Sequence, residues 1–119
     1  MSNDNADSNP AYVLGHSDHE LNRLRAQARL LEPVTRQFLR AAGITHGMRV
    51  LDVGRGAGEA ACLAAELVGE AGMVLGTDKA PAAVAAATLT ARERGLRNVQ
   101  FREGNPAEMT FNRRFDAVL

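Results

Sequence analysis

The 119 residues suit one compact domain and leave little room for a two-domain enzyme. Apolar residues make up 45 % and charged residues 24 %, ordinary globular usage that excludes disorder, collagen and coiled coil as descriptions of the whole chain. Lys plus Arg and Asp plus Glu both total 14, so no net charge draws the molecule to nucleic acid or to an anionic membrane, and neither is expected as a partner.

Residues 1–10 are mostly Ser, Asn and Asp and end at Pro10, too polar to offset the entropy of ordering, so a disordered tail is expected. That start has no basic end and no apolar core, and no stretch approaches the roughly 20 apolar residues of a membrane span. Cys62 is the sole cysteine, which excludes an internal disulfide. These features predict a cytoplasmic protein.

Residues 11–43 read as cap helices. Ser17 and Glu20 have capping-box spacing, and Leu21, Leu24, Ala28 and Leu31 make an apolar stripe. Pro33 suits the first turn of a second helix over 33–42, with Val34 and Phe38 on one face and Gly43 as its terminator. The pair predicts a helical hairpin.

From position 48 the pattern changes. Residues 48–53 form a short apolar run followed at once by glycines, the mark of a buried strand. Residues 59–68 place Ala60, Leu63, Ala64 and Leu67 at helical spacing and stop at Gly69. Residues 73–77 give a second strand, 81–94 an alanine-rich helix from Pro81 to the Gly95 stop, and 98–102 and 115–119 two further strands. This alternation predicts right-handed crossovers and an α/β fold, a doubly wound parallel sheet with helices on both faces. The Rossmann-like form of that fold places the first four strands in the order 3-2-1-4. Because C-terminal strands are absent after 115–119, residues 44–119 read as a truncated domain, the front half of a larger fold.

Between the first strand and the next helix lies Asp52-Val53-Gly54-Arg55-Gly56-Ala57-Gly58, where backbone amides and the helix dipole converge on a ligand. Glycine there lets a cofactor lie against the backbone. Twenty positions after Gly58, Asp78 offers a carboxylate to the hydroxyls of a ribose. Loop and acid together form a nucleoside-binding constellation. In a dinucleotide fingerprint the last small residue would fall on Glu59, a bulky anion, which argues against an NAD-type Rossmann oxidoreductase.

The segment 50–58, with an acid two positions before G-x-G-x-G, resembles the first motif of class I S-adenosylmethionine-dependent methyltransferases. The likeness extends over residues 12–119: 73–78 resembles the second motif, 98–105 the third, 115–119 the fourth strand, and 12–31 the cap helices of the small-molecule members. The resemblance implies S-adenosyl-L-methionine as cofactor and a small-molecule methyl acceptor. It assigns Asp52, Gly54, Gly56 and Gly58 to the methionine part, Asp78 and the adjoining Lys79 to the ribose, and Asn105 to the adenine amino group. Tyr12 is equally suited to closing over the cofactor and to anchoring the tail. Three positions depart from the family pattern: Arg55 replaces a small residue or Cys, Asn105 replaces an aspartate, and Pro106 lacks a backbone N–H that commonly meets the adenine. No residue is identified as a catalytic base.

A second reading, from a different class, is a non-catalytic fragment that forms a homo-oligomer through the 115–119 strand edge. His16, His19 and His46 lack metal spacing, and Cys62 has no base beside it, so all four read as structural or surface residues. The run Arg92-Glu93-Arg94 reads as a solvated helix end.

Overall fold

The computed structural model describes residues 18–54 and 58–119, apart from the side chains of residues 18, 21, 24, 25 and 28. Its elements are α1 (Asp18–Ala41), β1 (Arg49–Val53), α2 (Glu59–Val68), β2 (Met73–Asp78), α3 (Pro81–Glu93), β3 (Val99–Glu103), a 3-10 turn (Pro106–Glu108) and β4 (Ala117–Val118). All four strands are parallel, as the alternating pattern predicts, and stand in the order β3-β2-β1-β4 expected of a Rossmann-like fold. No described helix is long and apolar enough to cross a membrane.

The expected hairpin is instead one helix. α1 runs from Asp18 to Ala41 with Pro33 inside it, so the break placed at Pro33 is corrected. A proline in a helix interior forfeits one backbone hydrogen bond and costs about 3 kcal/mol. Contacts on both sides of Pro33 offset that cost. Glu32 and Arg36 are both held by ion pairs to other helices, at 2.7 Å from Arg94 and 2.7 Å from Glu66 respectively. Beyond them, Leu39 and Ile44 are buried in the core. The Ile44 amide donates to the Leu39 carbonyl and the Gly43 amide to that of Arg40, the paired bonds of a left-handed helix terminator, with Gly43 at φ 96°. The capping box and the stripe through Leu21, Leu24 and Ala28 fall on residues or side chains outside those described.

β1 and β2 pair Val50 with Val74 and Asp52 with Gly76. Because side chains alternate along a strand, Val50 and Val74 face one side while Leu51 and Leu75 face the other. On the first side α2 contributes Leu63, Ala64 and Val68, which with Leu39 and Ile44 of the α1 end make the core. α2 and α3 touch each other, so they share a face of the sheet, and α1 packs on α2. The described helices α1, α2 and α3 thus gather on the face of Val50 and Val74. The cause is topological: β1 to β2 and β2 to β3 are successive crossovers in the same direction, and right-handed crossovers of that kind put their helices on the same side.

β4 is short but well anchored. The Asp116 amide donates to the Arg49 carbonyl at 2.7 Å, and the Leu119 amide to that of Leu51 at 2.8 Å, so pairing extends one residue beyond each end of β4. The Asp116 carboxylate accepts from the Arg49 amide at 2.8 Å, and the Arg49 guanidinium lies 5.4 Å from the Phe115 ring centre.

Candidate functional site

The strand order reverses at β1, which lies between β2 and β4, although β2 follows it in sequence and β4 is reached last. In open parallel sheets such a reversal opens a crevice beyond the carboxyl ends of the strands. A small cleft, partly open to solvent, occurs there, lined by Asp52 and Gly54 at the end of β1, Thr77 and Asp78 at the end of β2, Gly58, and Phe101 of β3. α3 closes one wall with Ala83, Val84 and Ala87.

Asp52 is 8 % exposed. Burial pushes its carboxyl up to about 6, with no opposing charge or hydrogen bond to hold it down among the described residues. A buried carboxylate at the floor of a cleft is stabilised by a cationic ligand, such as the sulfonium or ammonium group of an amino-acid-bearing nucleoside.

Gly54 donates its amide to the Thr77 carbonyl at 2.8 Å, tying the loop start to β2. Gly58, the cap of α2, has φ 82°, a conformation that side-chain-bearing residues rarely adopt. A Cβ there would also stand 2.7 Å from Ala87 Cβ. The Gly58 requirement thus comes from helix packing as well as from any ligand, which the loop pattern alone does not reveal. With glycine as its cap, α2 presents its first amides with no side-chain hydrogen bond. Gly56 and Arg55 lie outside the described residues, as does Tyr12.

Asp78 is held in position at both backbone and side chain. Its Oδ1 accepts from the Ala80 amide at 2.9 Å, and its carbonyl accepts from the Gly104 amide at 2.9 Å. The first bond orients the carboxylate and leaves Oδ2 toward other donors. Lys79 is exposed and does not line the cleft.

Asn105 follows Gly104 and caps the 3-10 turn, its Oδ1 accepting from the Ala107 amide at 3.0 Å. One lone pair of the oxygen expected to meet an adenine is therefore already used. The turn was not foreseen, although Asn-Pro is a turn-starting pair.

Two groups of residues escaped the sequence reading. Phe101 stands opposite Gly76 in the β2–β3 register and its ring covers that glycine. The second group is an ion-pair network at the outer side of the helix layer. Arg94 reaches Glu32 at 2.7 Å, Glu66 at 3.0 Å and Glu59 at 3.3 Å, and Arg36 bridges Glu32 and Glu66. The Arg94 hydrogen bond holds the Glu32 carboxyl below its usual range. Arg92 and Glu93 are exposed as expected for a helix end, but Arg94 is turned in, which corrects its assignment to solvent. Only the Glu32–Arg36 spacing of four hinted at any part of this network.

His19 and His46 are exposed, and no group of three His, Cys, Asp or Glu side chains could hold a metal among the described residues. Cys62 is buried, and burial pushes its thiol up to about 11, so it stays protonated at neutral pH. His16 lies outside the described residues.

Fold and cleft together define a Rossmann-like α/β protein with a ligand crevice at its strand reversal. Residues 44–119 match the family described as methyltransferase domain. Over 79 residues the chain is 42 % identical to nocamycin O-methyltransferase of Saccharothrix syringae, and over 67 residues 43 % identical to aklanonic acid methyltransferase of Streptomyces sp. (strain C5). These matches take in 66 % and 56 % of this chain but only 28 % and 30 % of the relatives, so the chain spans less than a third of their length. Among solved structures, a SAM-dependent methyltransferase of Aquifex aeolicus superposes with a TM-score of 0.59 at 32 % identity, over 63 % of this chain and 40 % of that one. The chain belongs to the methyltransferase-domain family and carries the class I methyltransferase fold.

Proposed function

We propose that the chain is the cofactor-binding portion of an S-adenosylmethionine-dependent methyltransferase that acts on a small molecule. The observation that carries this reading is the buried Asp52 carboxylate, unpaired among the described residues, beside the start of α2, which has a glycine cap and no side-chain cap bond, with Asp78 oriented one strand away. S-adenosylmethionine presents matching groups: cationic sulfonium and ammonium centres, a carboxylate and a ribose diol. In this reading Asp52 takes the cationic part, the first amides of α2 take the carboxylate, and Asp78 Oδ2 takes the ribose hydroxyls. Asn105, whose Oδ1 retains a second lone pair, remains the candidate for the adenine amino group; Gly54 and Gly58 line the approach, and Gly56 is assigned to it by the motif alone. Lys79 and Tyr12 keep lesser roles, Lys79 because its exposed side chain stands outside the cleft.

The cofactor would supply a methyl group on a positively charged sulfur, open to in-line displacement. What this chain contributes is binding and orientation, which can supply most of the rate gain for such a displacement. The names of the two relatives, one acting on nocamycin and one on aklanonic acid, support a small organic acceptor, and the name of the first supports an oxygen nucleophile.

Calorimetric titration with S-adenosylhomocysteine, alongside NAD, tests the reading. Saturable binding of the first and not the second is expected. A folded chain that binds neither overturns it and leaves self-association through the β4 edge as the reading to pursue.

A further inference from the structure

Glu59 poses an electrostatic problem. It is the first residue of α2, directly after Gly58, at the helix end whose unpaired amides and dipole attract anions. A free carboxylate there competes with any anionic ligand group for those amides and repels it. Glu59 nevertheless does not line the cleft. Its carboxylate is drawn to Arg94 at 3.3 Å, and its side chain is only 16 % exposed.

Arg94 is itself well fixed. It caps α3, whose end is closed by the Leu96 amide donating to the Ala91 carbonyl and the Gly95 amide to that of Arg92, both at 3.0 Å. Its guanidinium then spans α1 and α2 through Glu32 and Glu66. Two carboxylates from other turns hold it in place, so the guanidinium is in position for the third, Glu59.

We infer that Arg94 is a positioning residue for cofactor binding: by holding Glu59 in the ion-pair network it keeps the start of α2 open to the ligand's carboxylate. This rests on the cofactor reading proposed above. Loss of the cation frees Glu59 to turn towards its own helix amides, where it occupies the site intended for the ligand. The effect is confined to ligands that carry a carboxylate. Arg94 touches neither the cleft nor the reacting atoms.

The test compares S-adenosylhomocysteine, which has an amino-acid carboxylate, with 5′-methylthioadenosine, which lacks it, by calorimetry well below the melting temperature of each variant. Arg94→Gln is expected to weaken S-adenosylhomocysteine roughly three- to tenfold, the worth of a charge at a helix end, and to leave methylthioadenosine unchanged. Glu59→Gln in the same chain is expected to restore most of the lost affinity, because the competing anion is gone. A network that only stabilises the fold would lower the melting temperature, shift both ligands equally or not at all, and show no rescue; that result overturns the inference. Should Arg94→Gln not fold, Arg94→Met, which keeps the bulk of the stem without the cation, takes its place, and equal affinities of both ligands for it and for wild type overturn the inference. A wild-type chain that binds neither ligand overturns the cofactor reading and this inference with it, whereas normal wild-type binding with an indifferent Arg94→Gln overturns this inference alone.

Discussion

Phe101 lies directly over Gly76: the two are register partners on β3 and β2, and a Cβ at Gly76 would stand 2.5 Å from the ring's Cδ1. The same ring would meet a Cβ at Gly58 at 3.1 Å. One aromatic side chain therefore fixes the spacing between the glycine loop, the sheet and α3, and the cleft floor has the shape of that ring. Gly76→Ala is expected to destabilise the fold by about 1–3 kcal/mol through overpacking, and Phe101→Leu in the same chain to recover part of the loss. Urea unfolding of the two single variants and the double variant measures the coupling.

Gly58→Ala combines an unfavourable backbone region with a Cβ 2.7 Å from that of Ala87. It is expected to cost about 2 kcal/mol or more. Pairing it with Ala87→Gly should relieve the contact but not the backbone term, so chemical denaturation should show incomplete rescue.

The buried Asp52 makes stability depend on pH. Its folded value, about 6, lies above the ordinary 3.8, so the folded state holds a proton that the unfolded state releases. Stability from this group is greatest below the ordinary value and falls as pH rises through the window from 3.8 to about 6. The full swing is about 3 kcal/mol. Glu32, held low by Arg94, has the opposite sign: its contribution is present above its ordinary value and lost as pH falls. The difference in urea midpoint between wild type and Asp52→Asn isolates the Asp52 part, and the difference should grow in favour of the Asn variant between pH 4 and 6. A cationic ligand reverses the preference for the proton, so affinity for S-adenosylmethionine should rise over the same window.

Asp78→Ala removes an acceptor whose Oδ1 orients the turn through the Ala80 amide and whose Oδ2 is left for a ribose. A lost hydrogen bond to a charged group is worth about 1.5–3 kcal/mol, so affinity for S-adenosylhomocysteine should fall by roughly tenfold to a hundredfold. The melting temperature should move little, and differential scanning calorimetry beside the titration separates the two effects.

Pro33 sits in the interior of α1 without a backbone donor. Pro33→Ala restores one helical hydrogen bond while allowing the unfolded chain more freedom, for a net gain of about 2 kcal/mol. A lower or unchanged melting temperature would count against a continuous α1.

Much of this architecture is legible in local sequence because local physics decides it. α2 begins and ends between Gly58 and Gly69, and those punctuating glycines with the apolar spacing locate it to the residue. The alternation of strand and helix was enough for a parallel sheet, whereas its order followed from the Rossmann-like fold class. What local rules missed depends on partners distant in sequence. Pro33 signals a helix start, yet Leu39 and Arg36 bind to elements downstream and carry the helix through. Arg94 looks like one more surface charge, and only the fold brings Glu32, 62 positions earlier, to it. Of the candidate site, Asp52, Gly54, Gly58 and Asp78 converge on the cleft. Neither Lys79 nor Asn105 lines it, because the turn at each strand end directs its side chain elsewhere.

The position of β4 bears on the order in which the molecule assembles. β1, β2 and β3 follow one another along the chain and pair over five residues each, whereas β4 must return across the whole of that excursion to meet β1. Closing so long a loop carries an entropy cost that the neighbouring strand pairs do not bear. Asp52, Gly54, Asp78 and Gly104 are all held by the first three strands, so the crevice floor can form before β4 docks. In native-state hydrogen exchange the amides of Asp116 and Leu119 should open ahead of those of Val74 and Gly54, and the last strand to arrive should also be the first to leave.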